Sequence, residues 1–176
     1  CTKCHRKSAY ILKIRKVLIK MLYENYEQVV ANVKKACERS GRNFQDITII
    51  AVSKTKPLSD VEELLSHGVM EFGENKVQEM VDKYEHVSKP VHWHLIGHLQ
   101  TNKVKYIVDK ACLIHSVDSV HLAKEIEKEA AKKGVVAKVL LEVNIAQEET
   151  KFGIREDEVY ALIEAIKDMP HVHVMG

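Results

Sequence analysis

Lys54 is the residue of this sequence that most needs a chemical explanation. It closes an apolar, β-branched run that begins at Ile47 and leads into Lys54-Thr-Lys-Pro57. Such residues favour strands, so the sequence predicts a buried strand with an ammonium group at its carboxyl end. Burying that charge is costly unless it is paired, neutralised or used. A partly neutral lysine attacks carbonyl groups and forms a Schiff base, whereas an ordinary one extends to solvent. Both interpretations fit the pattern.

Histidine and cysteine side chains offer a second chemistry, metal binding. His92 and His94 fall on one face of a predicted strand, but no Cys or carboxylate is near them in sequence to complete a set of ligands. The pair His171–His173 is interpreted in the same way, and the segment Cys1–Cys4 lacks the second cysteine pair of a zinc site. We therefore predict no metal site.

Composition and motif searches exclude several function classes. The chain has 176 residues, 45% hydrophobic and 30% charged, which is typical of a globular protein, and no apolar run reaches membrane-spanning length. The usual glycine-rich motifs for dinucleotides, nucleotide phosphates and α/β-hydrolases are absent. Residues 1–20 hold seven Lys and Arg and no acidic residue, so the remainder is mildly acidic despite a net charge of +2. We therefore expect neither a nucleic-acid nor a membrane partner.

Cysteine usage indicates the compartment. The chain has too few cysteines for a disulfide framework, and they are widely scattered: Cys1, Cys4, Cys37 and Cys112. A reducing environment is the simpler inference, so we predict a cytoplasmic protein.

Strand and helix patterns alternate along the chain. An amphipathic helix ending at Ser40-Gly41 precedes the Lys54 strand, and helix 120–133 is closed by Gly134. Further strands are predicted at 69–72, 92–96, 112–117, 138–145 and 171–175. Helices of this length between strands imply parallel pairing, either in an open doubly wound sheet or in a (β/α) barrel.

Polar residues follow the predicted strands at their carboxyl ends, where both folds bind ligands. These residues are Lys54, Gly73-Glu74-Asn75, Gly97-His98, Ser116, Asp118 and Asn144. An open sheet uses mainly its switch point, so polar groups after every strand favour the barrel.

Five motifs resemble, in order and spacing, the pyridoxal phosphate homeostasis proteins (the YggS/PROSC family). They are Ala51-Val-Ser-Lys-Thr-Lys-Pro57, Phe72-Gly-Glu-Asn-Lys-Val-Gln-Glu79, Trp93-His-Leu-Ile-Gly-His-Leu-Gln-Thr-Asn-Lys103, His115-Ser-Val-Asp118 and Val143-Asn-Ile-Ala-Gln-Glu-Glu-Thr-Lys-Phe-Gly153. The resemblance extends from about Met21 to Gly176.

The resemblance implies a TIM-type (β/α)8 barrel of the alanine racemase N-terminal-domain kind, which carries pyridoxal 5'-phosphate (PLP) on its first strand. Lys54 would be the Schiff-base lysine. Asn75, Ser116 and Asn144 would bind the cofactor around the same mouth. Members of the family are regarded as PLP carriers and regulators of vitamin B6 balance, without established turnover.

The sequence departs from the family pattern at both ends. It stops before the Ser-x-Gly-Met-Ser loop and the Arg-x-Gly segment that the family uses for the phosphate and the pyridine nitrogen. We therefore expect about six of eight βα units, with the first and sixth strands as unpaired edges. Residues 1–20 have no counterpart in the family, so we expect an extension there and one incomplete barrel domain over 21–176, with Met21 as the natural start.

Three hypotheses follow for function. The leading one is a PLP-binding protein of intracellular PLP homeostasis that holds the cofactor on Lys54 and delivers it to PLP-dependent apoenzymes, as a monomer or weak dimer. No residue is nominated by the sequence as the second acid/base that racemisation requires, so we expect no catalytic residue. The alternatives are a racemase-like enzyme that uses the same cofactor and a cofactor-free fragment.

Overall fold

The structure of the protein is a computed structural model. It describes residues 2–146, 148 and 150–176, with side chains from residue 21 onward. Gln147 and Glu149 of the fifth motif and Cys1 of the Cys1–Cys4 segment lie outside the described residues.

Six parallel strands form one sheet. They are β1 (Ala51–Val52), β2 (Glu71–Glu74), β3 (His92–Leu95), β4 (Ala111–Val117), β5 (Ala137–Leu141) and β6 (Val172–Val174). The helices are α1 (Thr2–Ser40), α2 (Leu58–Ser66), α3 (Val77–His86), α4 (Val104–Ile107), α5 (Val120–Lys133) and α6 (Val159–Ile166). Short 3₁₀ helices occupy Phe44–Asp46, Thr101–Lys103 and Glu156–Glu158.

The order of the strands distinguishes the two predicted architectures. Each strand pairs with the next one along the chain, in the order β1-β2-β3-β4-β5-β6. A doubly wound sheet reverses its order at a switch point, whereas a barrel winds in one direction. Within the described residues β1 pairs only with β2 and β6 only with β5. The prediction of an unclosed barrel of six strands with two free edges is therefore confirmed.

Contacts between residues divide the chain into two compact units. The first consists of Cys1–Ile49 and Lys56–Met70 and holds α1 and α2. Within it the Tyr23 ring stacks on His67, with centroids 3.8 Å apart. The second consists of Ile50–Thr55 and Glu71–Gly176 and holds the sheet with α3 to α6. The division into an extension over 1–20 and a domain over 21–176 stays a prediction.

Alternate strand residues of the second unit are buried beneath its helices. Phe72 and Trp93 have no exposed surface, and their rings lie 5.8 Å apart. Full burial of a large apolar side chain contributes about 1.5–3 kcal/mol to stability, so this layer fixes the sheet that positions the polar strand ends. The buried helical residues include Val77, Met80, Leu122, Ile126, Leu162 and Ile166.

The prediction of a buried strand before Lys54 is wrong. Only Ala51 and Val52 of the apolar run pair as a strand, and Val52 is 50% exposed. The physical reason is that β1 has a neighbour on one side only.

Among the described helices, none combines the length and apolar character needed to cross a membrane.

Candidate functional site

Lys54 lies just beyond the carboxyl end of β1, as the sequence predicts. Its side chain is exposed, and no described residue pairs with its ammonium group. The residue before it is buried, and the Ser53 N–H donates to the carbonyl of Gly73 at 3.0 Å. Lys54 therefore presents a free primary amine at the edge where parallel sheets of this kind bind ligands.

The backbone turns sharply immediately after Lys54. Thr55 has a φ of 62°, the one positive φ at a described non-glycine residue. A β-branched residue in this region is a genuine outlier that costs about 1–3 kcal/mol and persists only where surrounding contacts enforce it. The contact that holds Thr55 in this conformation is a hydrogen bond from its N–H to Glu79 Oε1 at 2.6 Å. The strained turn fixes the direction in which the chain leaves Lys54.

Two residues of α3, Lys83 and Glu79, hold the two neighbours of Lys54: Lys83 bonds to Ser53 and Glu79 to Thr55. Lys83 Nζ donates to the Ser53 carbonyl at 2.7 Å, to Glu74 Oε1 at 2.7 Å and to Glu79 Oε1 at 2.9 Å. The Ser53 hydroxyl also donates to Glu74 Oε1 at 2.6 Å. We call Ser53, Thr55, Glu74, Glu79 and Lys83 the lysine clamp, because these residues hold the backbone on each side of Lys54.

The charges of the lysine clamp are deeply buried. The Lys83 side chain is 5% exposed and that of Glu74 is fully buried. Removing one partner of such a pair leaves an unpaired buried charge, so the clamp is rigid as long as it is complete. Burial alone raises the pKa of Glu79, but the hydrogen bonds from Lys83 and the Thr55 N–H outweigh it and bring that pKa below its ordinary value. Glu79 is therefore held as an acceptor.

Sequence reasoning missed the clamp and misplaced Glu74. Glu74 was expected among the polar groups of the mouth, whereas its carboxylate is buried and bonded to Ser53 and Lys83. A signal for Lys83 did exist. Val77, Met80 and Lys83 recur at helical spacing, and a lysine on the apolar stripe of a helix requires a buried partner.

Asn75 follows β2, the strand next to β1, and is half-buried. No described residue hydrogen-bonds its side-chain amide. Its backbone is packed tightly against Gly97 after β3, where an added Cβ would lie 2.4 Å from the Asn75 carbonyl oxygen. Gly97 is thus required for the close approach of the two strand ends, and the Asn75 amide is left available for a ligand beside Lys54.

Ser116 and Asn144 are less accessible than the resemblance implies. Ser116 is 2% exposed, and its buried hydroxyl has no hydrogen-bond partner among the described residues. The Asn144 amide donates to the Glu148 carbonyl at 2.9 Å. The loop also packs closely at Gly153, where an added Cβ would lie 2.8 Å from the backbone nitrogen of Asn144. Asn144 therefore organises the loop after β5.

Acidic groups gather near the same strand ends. His98 Nδ1 lies 3.6 Å from Asp118 Oδ2, and the His98 ring stacks on Phe152 with centroids 3.7 Å apart. Burial and, secondarily, the charge of Asp118 raise the pKa of Glu142, although His98 opposes this. One buried Glu142 oxygen lacks a partner among the described residues. These groups place hydrogen-bond acceptors at this part of the mouth.

The donor set at the mouth fits an aldehyde cofactor. Lys54 supplies an unpartnered primary amine, the group that condenses with an aldehyde. Asn75 supplies an unpartnered amide on the adjoining strand. Lys54 and Asn75 thus lie on neighbouring strand ends, whereas Ser116 is enclosed and Asn144 is engaged in its own loop.

A second polar cluster joins β2, β3 and β4. Glu71 Oε1 lies 2.6 Å from His92 Nδ1, and Glu71 Oε2 lies 2.8 Å from His94 Nε2. Cys112 lies beside Glu71 and His94. The fold therefore brings a carboxylate and a thiol to the histidines, although neither is near them in sequence. Burial, aided by Glu71, raises the pKa of Cys112 to about 11. This thiol is therefore protonated at neutral pH.

The winding order of the sheet and an amine after its first strand are features of the alanine racemase type of barrel. Residues 25–176 match the family of alanine racemase N-terminal domains. The chain belongs to the pyridoxal phosphate homeostasis proteins within this class, since it is 43% identical over 154 residues to that protein of Aquifex aeolicus. That match covers 87% of this chain and 68% of the relative.

Solved structures agree with the fold. An unknown protein from Bifidobacterium adolescentis has a TM-score of 0.83 at 27% identity, over 90% of this chain and 68% of that chain. PipY of Synechococcus elongatus, in a structure with PLP bound, has a TM-score of 0.69 at 30% identity, over 84% of this chain and 68% of its own. The resemblance and the fold class predicted from the five motifs are confirmed.

Proposed function

We propose that this protein binds pyridoxal 5'-phosphate as a Schiff base on Lys54 and serves PLP homeostasis in the cytoplasm. The observation that carries the proposal is the exposed, unpartnered amine of Lys54, held after β1 by the lysine clamp. The bound cofactor supplies an aldehyde for covalent attachment and a phosphate for recognition. The family membership and the PLP in the PipY structure support this assignment.

Asn75, Ser116 and Asn144 complete the proposed cofactor site. Asn75 is the strongest of the three because its amide is free within the described residues and lies on the strand next to Lys54. A hydrogen bond to a charged group contributes about 1.5–3 kcal/mol, so Asn75→Ala should weaken PLP binding by about tenfold or more without abolishing the covalent adduct.

Reduction with borohydride tests the role of Lys54. The protein is incubated with PLP, reduced, digested and analysed by mass spectrometry. We expect one pyridoxyl group on the peptide that contains Lys54, and its disappearance in Lys54→Ala. Lys56→Ala is the matched control, because Lys56 is also exposed and lies two residues away. A reduced adduct of equal yield in Lys54→Ala would refute the assignment.

We also propose that the protein carries PLP and hands it to PLP-dependent apoenzymes instead of turning over an amino acid. Catalysis of racemisation needs an acid/base on each face of the cofactor, and the sequence nominates no residue as the second of these groups beside Lys54. The PLP-loaded protein should reactivate an apo-aminotransferase. It should not exchange the α-deuterium of amino acids, and such exchange would favour the racemase-like alternative.

A further inference from the structure

We propose that Glu71, His94 and Cys112 form a binding site for a divalent zinc-type ion. One ligand atom from each of these residues lies within 4.8 Å of those of the other two. The three residues come from the adjacent strands β2, β3 and β4. Glu71 is the first residue of β2 and Cys112 the second of β4, whereas Lys54 follows the carboxyl end of β1. Glu71 and Cys112 therefore lie at the opposite ends of their strands from the edge that carries Lys54.

The ligands are already oriented by their neighbours. His94 Nε2 lies 2.8 Å from Glu71 Oε2, and His94 Nδ1 lies 3.0 Å from His115 Nε2. An ion bound at Nε2 would leave the proton of the His94 ring on Nδ1, where it donates to His115. A second-shell partner of this kind is typical of metal-binding histidines. His92 Nδ1, 2.6 Å from Glu71 Oε1, holds the other carboxylate oxygen.

The chemistry of the donors selects the class of ion. An imidazole nitrogen, a thiolate sulfur and a carboxylate oxygen suit Zn²⁺ and similar transition ions, whereas Mg²⁺ and Ca²⁺ prefer oxygen ligands throughout. Three protein ligands leave the fourth tetrahedral position to water. Cys112 binds as the thiolate, so its proton passes to the solvent when the metal–sulfur bond forms.

A cleft borders the cluster at Cys112. A cavity of about 470 Å³ is lined by residues that include His92, Trp93, Ala111 and Cys112. The thiol of Cys112 is half-buried and the His94 side chain is 6% exposed, so the ligands are shielded without being sealed. The cluster thus combines three ligands and an orienting second shell, and its thiol borders a cleft.

Cobalt substitution tests the site. Cys1, Cys4 and Cys37 are first replaced by Ser, Ser and Ala, so that any thiolate-to-cobalt band is that of Cys112. In this variant of the full chain we expect one Co²⁺ per protein, with visible bands of a tetrahedral site and a near-ultraviolet thiolate-to-cobalt band that Zn²⁺ abolishes by competition.

Substitutions of the ligands decide the outcome. In the same background Cys112→Ser should lose the thiolate band, and His94→Gln and Glu71→Gln should each weaken Zn²⁺ binding by at least about tenfold. His121→Gln and Glu125→Gln on α5 are the matched controls and should bind normally. Binding that is unchanged in the ligand variants, or no saturable binding to the folded protein, would overturn the proposal.

Thiol labelling gives a readout that does not depend on a ligand variant folding. With Cys112 as the sole cysteine, Zn²⁺ should slow its alkylation severalfold, whereas Mg²⁺ should have no effect. Equal alkylation rates with and without Zn²⁺ would count against the site.

Discussion

At the scale of single residues, Lys83 controls the position of Lys54. Lys83→Met should lower the free energy of unfolding by about 3–5 kcal/mol, because Glu74 is then left buried without a cation. Lys128→Met is the matched control. Lys128 is 56% exposed beside Glu125, and loss of such a surface pair should change the free energy of unfolding little. Urea denaturation measures both changes, and similar losses in the two variants would contradict a structural role for the clamp.

The positioning role of Lys83 has a separate readout. If the clamp directs Lys54, a folded Lys83→Met protein should form the borohydride-reducible PLP adduct more slowly than the wild type at equal PLP. Lys128→Met should react at the wild-type rate. A loss of stability with an unchanged rate would leave Lys83 as a purely structural residue.

The lowered pKa of Glu79 predicts how the stability of the protein changes at acid pH. This pKa is lowered in the folded state, since hydrogen bonds from Lys83 and Thr55 outweigh the effect of burial. A lowered folded-state pKa adds stability above the unfolded-state pKa, about 4.3 for Glu, which is lost as the pH falls through the folded-state pKa. Glu79→Gln should therefore cost about 1–2 kcal/mol at pH 7 and progressively less below about pH 4.

Denaturation by urea from pH 7 to pH 3 measures this dependence. Glu85→Gln on the same helix is the control, because Glu85 is exposed and its replacement should change stability little. A difference between wild type and Glu79→Gln that stays constant, or grows toward acid pH, would contradict the sign derived above.

Residues differ in how much of their role the sequence reveals. Lys54 is detectable because it interrupts an apolar run. The lysine clamp is not, since Lys83 lies 30 residues from Ser53 and nine from Glu74 and the three meet only after the strands have paired. Glu71, His94 and Cys112 likewise meet across three strands. Spacing within one motif cannot report such contacts.

At the scale of secondary-structure elements, α5 is the most completely determined by local sequence. It spans Val120–Lys133, the residues predicted. The Ser119 hydroxyl accepts from the Leu122 N–H at 3.2 Å, and Gly134 ends the helix with a φ of 65°. Both caps are local, so the sequence contains them. The short β1 was mispredicted because its burial depends on a neighbouring strand, which local sequence does not specify.

The amino-terminal cap of α5 gives a prediction at this scale. Ser119→Ala should destabilise the protein by about 1 kcal/mol, because the Leu122 N–H loses its acceptor. Ser119→Asp restores an acceptor of the kind that helix starts prefer and should recover most of that loss. Thermal denaturation of the three proteins compares them. Equal losses for Ala and Asp would indicate that the hydroxyl contributes through packing and not as a cap.

At the scale of the whole molecule, the sheet order explains why the resemblance located the fold correctly. Each of the five motifs includes the carboxyl end of a strand or follows a strand, and the strands pair in chain order. The order of motifs in sequence therefore reproduces their order around the mouth. What this order does not specify is which side chains turn inward, and for that reason Ser116 proves to be buried and Asn144 engaged with its own loop.

From the free edges of the sheet we predict that this chain self-associates. An edge strand presents unpaired backbone groups that pair readily with another chain, and β6 is such an edge within the described residues. His173 is exposed on β6 and in register with Lys138 of β5. His173→Glu therefore places a carboxylate at the edge, next to a lysine of its own sheet.

Sedimentation velocity over a wide range of concentration tests this edge. The chain should associate as its concentration rises. In a contact between two β6 edges the new carboxylates would face each other, and like charges brought together at an interface cost several kcal/mol, so His173→Glu should raise the dissociation constant by at least about tenfold. His121→Glu makes the same change of charge on α5 and should leave association unaltered. A chain that stays monomeric, or one in which both variants weaken association equally, would show that the β6 edge is not the contact.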